Sequence, residues 1–190
     1  MKKVFIAFVC ATSLLSAKAQ VKFGVKAGAN ISNWTGDVED TKSKVGLNVG
    51  AYAKIPLFAS FSLNPEVYFS GQGVKGEESG VDVKYNTNYI NIPVLFQYNH
   101  ASGFFAHTGP QIGILLSAKE KAEDVSVDVK EYLKKADFAW AFGAGYITKL
   151  GLGINVRYNL GLANVLDESG ETSVKNSVFQ VGLLYQFGGK

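Results

Sequence analysis

Apolar and polar positions alternate with period two in eight separate stretches, the pattern of strands with two chemically different faces. In the first stretch Val21, Phe23, Val25, Ala27, Ala29 and Ile31 share one face, and Lys22, Gly24, Lys26, Gly28 and Asn30 the other. The pattern returns at 45–55, 61–70, 89–98, 104–114, 137–146, 152–161 and 179–187. In the third, Phe61, Leu63, Val67 and Phe69 oppose Ser62, Asn64, Glu66, Tyr68 and Ser70. In the seventh, Leu152, Ile154, Val156, Tyr158 and Leu160 oppose Asn155, Arg157 and Asn159. The apolar faces carry no charge. The polar faces are small, rich in glycine and sparsely charged. In a soluble sandwich or lipocalin-type barrel the outer face is densely charged. Here the uncharged face suits lipid and the glycine-studded face suits a narrow lumen.

Connection lengths alternate as well. Short ones fall at 56–59, 99–103 and 149–151, long ones at 32–44, 71–88, 117–136 and 163–176. Short turns on one side and long loops on the other describe an eight-stranded antiparallel transmembrane up-and-down β-barrel, with both termini on the short-turn, periplasmic side. Aromatics gather at segment ends: Phe61, Tyr98, Phe104, Tyr146, Tyr185 and Phe187 on the short-turn side, Phe69, Phe138, Trp140 and Phe179 on the other. Such rings favour headgroup depth.

The first 19 residues read as a secretory signal peptide, so the domains are 1–19, a leader, and 20–190, the barrel. Lys2 and Lys3 precede an apolar run from Val4 to Leu15, and Ala17-Lys18-Ala19 is a small-x-small cleavage site, giving cleavage after Ala19. The run is too short for a membrane-spanning helix. Cys10 lies inside it, so the mature chain has no thiol for disulfides, catalysis or metal. The leader also accounts for the formal charge of +3. Without Lys2, Lys3 and Lys18, bases and acids are equal at 16 each. Bulk charge therefore gives no reason to expect nucleic-acid binding. Apart from Glu66 and Asp137, every acid falls in a long connection, which makes those connections the solvated outer parts.

Tyr89-Ile90-Asn91-Ile92-Pro93-Val94-Leu95-Phe96-Gln97-Tyr98, Gly109-Pro110, Phe142-Gly143-Ala144-Gly145-Tyr146 and Val156-Arg157-Tyr158-Asn159 with Gly161-Leu162 resemble the outer-membrane β-barrel domain family of PorT-like, "porin family" proteins. OmpX and the OmpA barrel are more distant structural relatives. The resemblance covers essentially all of 20–187 and implies the outer membrane of a Gram-negative bacterium, with outer-membrane lipid as surroundings. It says almost nothing about activity. The segment from Gln180 to Phe187, with Gly182 and Tyr185, also looks like the last-strand signal read by the barrel-insertion machinery, although Gly188-Gly189-Lys190 follows the terminal aromatic.

Candidate chemistry is sparse. Glu66 and Arg157 both point into the lumen at similar mid-membrane depth, with Lys26 near that level. Buried charges need partners, so a polar cluster of Lys26, Asn64, Glu66, Asn91, Gln111, Asn155, Arg157 and Gln180 is expected. It reads as a plug in preference to a gate or small-ion path, because eight strands leave room only for side chains. His107 and His100 read as structural. Ser102 lies beside His100 on the wrong side for a lipid-modifying enzyme, and His107 has no evident serine partner. Two histidines without cysteine offer no metal-ligand set, and no cofactor is expected. Gly71-Gln72-Gly73-Val74-Lys75-Gly76 matches G-x-G-x-x-G but runs into Glu77-Glu78-Ser79-Gly80 instead of a helix, so it reads as a flexible loop tip. The Asn30 and Asn33 sequons are attributed to chance.

Val81-Asp82-Val83-Lys84-Tyr85 and Val125 to Lys130 keep alternating, which predicts strands continuing above the membrane as hairpins whose edges can pair with another protein. The alternatives are a short helix at 132–135 or a mobile segment. The expected role is structural or interaction-based and not enzymatic, with a surface or secretion-system protein partner met through the long loops. The rival readings are a narrow porin-like channel or PorT-type secretion-accessory barrel, a small lipid-modifying enzyme, and a soluble periplasmic ligand-binding barrel.

Overall fold

Every alternating stretch becomes a strand, and most strands run past the stretch that predicts them. The computed structural model describes residues 20–38, 41–78, 81–122, 125–166 and 173–188. The leader and its cleavage site lie outside the described residues, as do Glu39, Asp40, Glu123, Asp124, Asp167, Glu168 and Glu171. The strands are β1 (Lys22–Gly36), β2 (Lys42–Pro56), β3 (Phe61–Glu78), β4 (Val81–Asn99), β5 (Phe104–Ala122), β6 (Val125–Asp128), β7 (Ala136–Ile147), β8 (Leu152–Gly161) and β9 (Val174–Gln186). All neighbours pair antiparallel, and β1 closes on β9 from Gly24↔Gln186 to Gly36↔Val174. The closed ring is β1-β2-β3-β4-β5-β7-β8-β9, eight strands, with β6 added to the upper end of β5. Closure leaves no edge at membrane depth, where an unpaired backbone group would be costly.

The alternation resolves into two environments. Phe23, Val49, Val67, Ile92, Ile154 and Leu183 face outward and are exposed, while Lys26, Asn48, Glu66, Asn91, Asn155 and Gln180 face inward and are buried. Only an apolar surround stabilises that arrangement, with oil outside and polar groups satisfied within. At the short-turn end the outward aromatics pack against one another: Phe61 on Phe96 at 4.9 Å and Phe104 on Tyr146 at 5.0 Å, centroid to centroid. Glycine closes two of the short turns in the left-handed region, Gly103 (φ 110°) and Gly151 (φ 89°).

The connection at 71–88 is mostly strand, not loop. β3 and β4 pair without interruption from Ser70↔Tyr89 to Glu78↔Val81. The sequence pattern changes there because the two faces exchange chemistry. Along β4 the outward residues pass from Ile92 and Ile90 to Asn88, Asn86, Lys84 and Asp82, while inward Val83 is buried. Along β3, Val74 turns inward and buried, and Lys75 outward and exposed. Polar and charged residues replace apolar ones outside and the interior becomes apolar, the change expected of a wall that leaves a membrane. The G-x-G-x-x-G match accordingly lies inside β3. Gly73 (φ 135°) belongs to it, and a Cβ there would overlap the Tyr85 carbonyl.

At 117–136 the strand extension also prevails. β5 runs to Ala122 and pairs with β6 from Lys119↔Asp128 to Ala122↔Val125. Among the described residues of this segment, helical geometry is limited to one 3-10 turn at Lys130–Tyr132, not 132–135. Beyond it, Leu133 folds onto Tyr89, Leu115 and Ala118 as a buried cluster, with Val129 and Leu166 packed against it. Lys134 N donates to Val165 O at 2.9 Å. This small core lies at the long-loop end of the barrel.

Candidate functional site

The lumen is filled by layers of polar side chains. At its centre Glu66 accepts from Arg157 twice, Nη1 to Oε2 at 2.8 Å and Nη2 to Oε1 at 2.7 Å. Lys26 Nζ donates to the same carboxylate at 3.0 Å. Arg157 Nε donates to His107 Nε2 at 3.1 Å, so that nitrogen is an acceptor and carries no proton. All four side chains are buried. They stand on β1, β3, β5 and β8, every second strand of the ring. Two-residue periodicity fixes their inward direction, and each is held at the same depth by the pairing on both sides.

The intervening strands make room for them. His107, Gly143 and Arg157 are in register across β5, β7 and β8. A Cβ on Gly143 would overlap His107 Nε2, so the missing side chain is what lets the imidazole and guanidinium meet. Lys26, Gly50 and Tyr68 repeat the device across β1, β2 and β3. There Lys26 Nζ sits 4.3 Å from the Tyr68 ring centroid, a cation–π contact. Asn91, Gly113 and Asp137 repeat it across β4, β5 and β7.

Below this layer, toward the short turns, four side chains form a closed cycle. Ser62 Oγ donates to Asn64 Oδ1 (2.8 Å), Asn64 Nδ2 to Gln97 Oε1 (3.0 Å), Gln97 Nε2 to Asn99 Oδ1 (2.7 Å) and Asn99 Nδ2 to Ser62 Oγ (3.0 Å). Cyclic chains of this kind reinforce one another. Above, Tyr68 Oη donates to Gln111 Oε1 at 2.7 Å, and Asn30 Oδ1 accepts from Gln180 Nε2 at 2.9 Å and Asn48 Nδ2 at 2.7 Å. Higher still, Asn176 Nδ2 donates to Gln72 Oε1, and to Asp137 Oδ2 at 3.4 Å. A cavity of about 30 Å³, water-sized, adjoins the ionic layer and is lined by Lys26, Glu66, Gln97, His107 and Arg157 among others.

Of the eight residues expected to cluster, the structure joins Lys26, Glu66 and Arg157 directly. It places Asn64 in the lower cycle and Gln111 and Gln180 in the layer above. Asn91 and Asn155 face the lumen, where Asn91 Nδ2 and Asn155 Oδ1 have no protein partner. His107, Tyr68, Asn30, Asn48, Gln97 and Asp137 belong to the network and were not among the eight. The alternation that selects Gln111 puts His107 on the same face, and that which selects Glu66 does so for Tyr68. Of the last-strand residues, Tyr185 and Phe187 meet edge to face at 5.4 Å at the short-turn end of β9. Gly182 packs against Gly28 across the closing seam. His100 Nδ1 and Ser102 Oγ are 2.7 Å apart in an exposed short turn. Asn30, the first sequon position, is fully buried. Among the described residues no group of three or more His, Cys, Asp or Glu converges.

Comparisons with known proteins agree with this architecture. Residues 16–167 match the family described as outer membrane protein beta-barrel domain. Ail of Yersinia pestis, solved in complex with the heparin analogue sucrose octasulfate, superposes with a TM-score of 0.52 at 16% identity, covering 88% of this chain and 99% of its own. Neisserial surface protein A superposes with a TM-score of 0.55 at 13% identity, covering 87% and 97% respectively. Both share the fold. No curated protein matches the sequence.

Proposed function

Because the chain belongs to the outer membrane protein beta-barrel domain family, we propose that it serves the outer membrane as a closed, non-conducting and non-catalytic barrel with a structural or surface-interaction role. The ionic layer carries this reading. Glu66, Lys26, Arg157 and His107 reach inward from four sides and meet at the lumen axis, in a barrel whose interior is only as wide as its side chains. The apolar cluster around Leu133 adds a second obstruction at the outer end.

In this reading residues 1–19 direct export and are removed after Ala19. The last strand, through Gln180, Gly182, Tyr185 and Phe187, is recognised by the barrel-insertion machinery. The β3–β4 and β5–β6 hairpins, with Val125 and Val127 exposed on β6 and Tyr132 exposed in the turn after it, are offered to a surface or secretion-system protein.

Single-channel recording in planar bilayers tests the closure. The wild-type barrel passes no steady current, and Arg157→Ala, which removes the side chain spanning the axis, opens a small one. A steady wild-type current overturns the reading in favour of a narrow channel. The polar lining, continuous from the Asn99 cycle to Asp137, is the feature that favours that second reading.

A further inference from the structure

Above the membrane the outer wall carries a row of four lysines in strict cross-strand register. Lys42 pairs with Lys75, Lys75 with Lys84, and Lys84 with Lys121, across β2, β3, β4 and β5. All four are exposed. They share the outward face, because Val74 and Val83, next to Lys75 and Lys84, point inward and are buried. Among the described residues, no carboxylate lies within 4 Å of the four ammonium groups. One rung higher Glu77 faces Asp82, on the same outward side, which limits the positive strip from above. One rung lower Lys119 extends it and faces Asp128 on β6.

Like charges directly opposite one another disfavour a sheet. A wall that sets four cations in line gains by placing an anion beside them. Height and direction indicate which one. Lys84 lies six residues beyond Ile90, the last apolar outward residue of β4. At roughly 3.3 Å per residue and a tilt of about 40°, that is some 15 Å above the hydrocarbon edge. A headgroup layer is only about 5–7 Å deep on each side. The lysines therefore stand level with sugars carried on the outer leaflet, not with a phospholipid phosphate. They also point sideways from the wall, over the adjacent lipids, and not upward into the medium.

We propose that the Lys42–Lys75–Lys84–Lys121 row binds phosphate groups on the sugar portion of outer-leaflet glycolipid adjoining the barrel. Each ammonium supplies three donors to phosphate oxygens, and an in-register row spaced about 5 Å apart spans two phosphorylated sugars. This rests on the long hairpins facing the cell surface. Cleavage within 125–128 by protease added to whole cells tests that placement separately.

The full chain is folded into phosphatidylcholine vesicles containing a few per cent of spin-labelled, core-phosphorylated lipopolysaccharide, and the immobilised fraction is read by electron paramagnetic resonance. We expect association relative to phosphatidylcholine to fall about tenfold when the core phosphates are removed enzymatically. The same loss is expected in Lys42→Gln/Lys75→Gln/Lys84→Gln/Lys121→Gln, with Lys149→Gln, on a periplasmic turn, unchanged. Heat-modifiable gel migration reports folding of each variant. If the fourfold variant does not fold, Lys75→Gln/Lys84→Gln is used, with a loss of about threefold expected. Equal association with and without core phosphates overturns the proposal, as does equal association of wild type and variant. So does lysine-dependent binding of soluble sucrose octasulfate without any preference for the phosphorylated glycolipid, because the ligand is then a polyanion from the medium.

Discussion

Arg157 and Glu66 stand on strands four places apart in a ring of eight, and their two parallel hydrogen bonds of 2.8 and 2.7 Å join opposite walls of the barrel. The pair is a strut across the full lumen, with Lys26 as a third member. A buried charge that loses its partner is strongly disfavoured. Arg157→Met should therefore lower stability by about 3–5 kcal/mol, and Glu66→Met, which strands two cations, by at least as much. The triple variant Lys26→Met/Glu66→Met/Arg157→Met removes every stranded charge and should lose less than either single variant. Urea unfolding from lipid vesicles, followed by the fluorescence of Trp34 and Trp140, gives all three values. A triple variant less stable than both singles would mean that the strut outweighs its desolvation cost.

Gly143 is the seat on which His107 and Arg157 meet. Gly143→Ala forces its methyl against His107 Nε2, and overpacking of this kind costs about 1–3 kcal/mol. If that contact is the cause, His107→Ala, which empties the space, should recover most of the loss in Gly143→Ala/His107→Ala relative to His107→Ala alone. A double-mutant cycle on unfolding free energies measures it, and additive losses would place the strain in the backbone against the Val156 carbonyl instead.

The eight strands and their order were legible because period two is a local signal, repeated in all eight stretches. The direction of each polar side chain followed from the same parity. Which groups touch did not. Glu66 meets Arg157 only because the ring closes, and the level at which β3 faces β8 depends on every intervening register. His107 is informative only beside Gly143: a glycine on an inner face reads as flexibility in one dimension and as space in three. The 71–88 segment looked like a loop because its faces trade chemistry between Ile90 and Asn88. A strand leaving lipid for water keeps its geometry and reverses its pattern.

The short turn between β2 and β3 contains a residue whose backbone suits glycine better. Ala59 has φ 47°, the left-handed region, at the corner where Leu57 N donates to Phe61 O at 2.9 Å and Phe61 N to Phe58 O at 2.9 Å. A Cβ in that region costs roughly 1–2 kcal/mol, and glycine's larger unfolded-state freedom offsets part of the gain. Ala59→Gly should raise unfolding free energy in vesicles by up to about 1 kcal/mol. Ala59→Val, β-branched, should lower it. The reverse order would show that the turn relaxes out of this conformation.

The exchange of faces along β4 sets the outer limit of the hydrocarbon between Ile90 and Asn88. Single cysteines carrying nitroxide labels, introduced into the thiol-free chain from Gln20 onward, can locate it. Labels at Val49, Ile92 and Ile154 should collide with dissolved oxygen and be shielded from a water-soluble nickel chelate. Labels at Asn48, Asn91 and Asn155 should show neither the oxygen contact nor motional freedom, being packed in the lumen. Along β4 the two accessibilities should cross between positions 90 and 88, and a label at Lys84 should be fully open to the chelate. On β5 the crossing should fall between Leu116 and Lys119, both exposed, one apolar and one charged. If Lys84 and Lys119 instead reported oxygen-rich surroundings, the membrane would reach some 15 Å higher on the wall, and the apolar interior around Val74 and Val83 would need another cause. If Ile92 reported water, the outward face would not be the lipid face, and an outer-membrane barrel could not be built on this register at all.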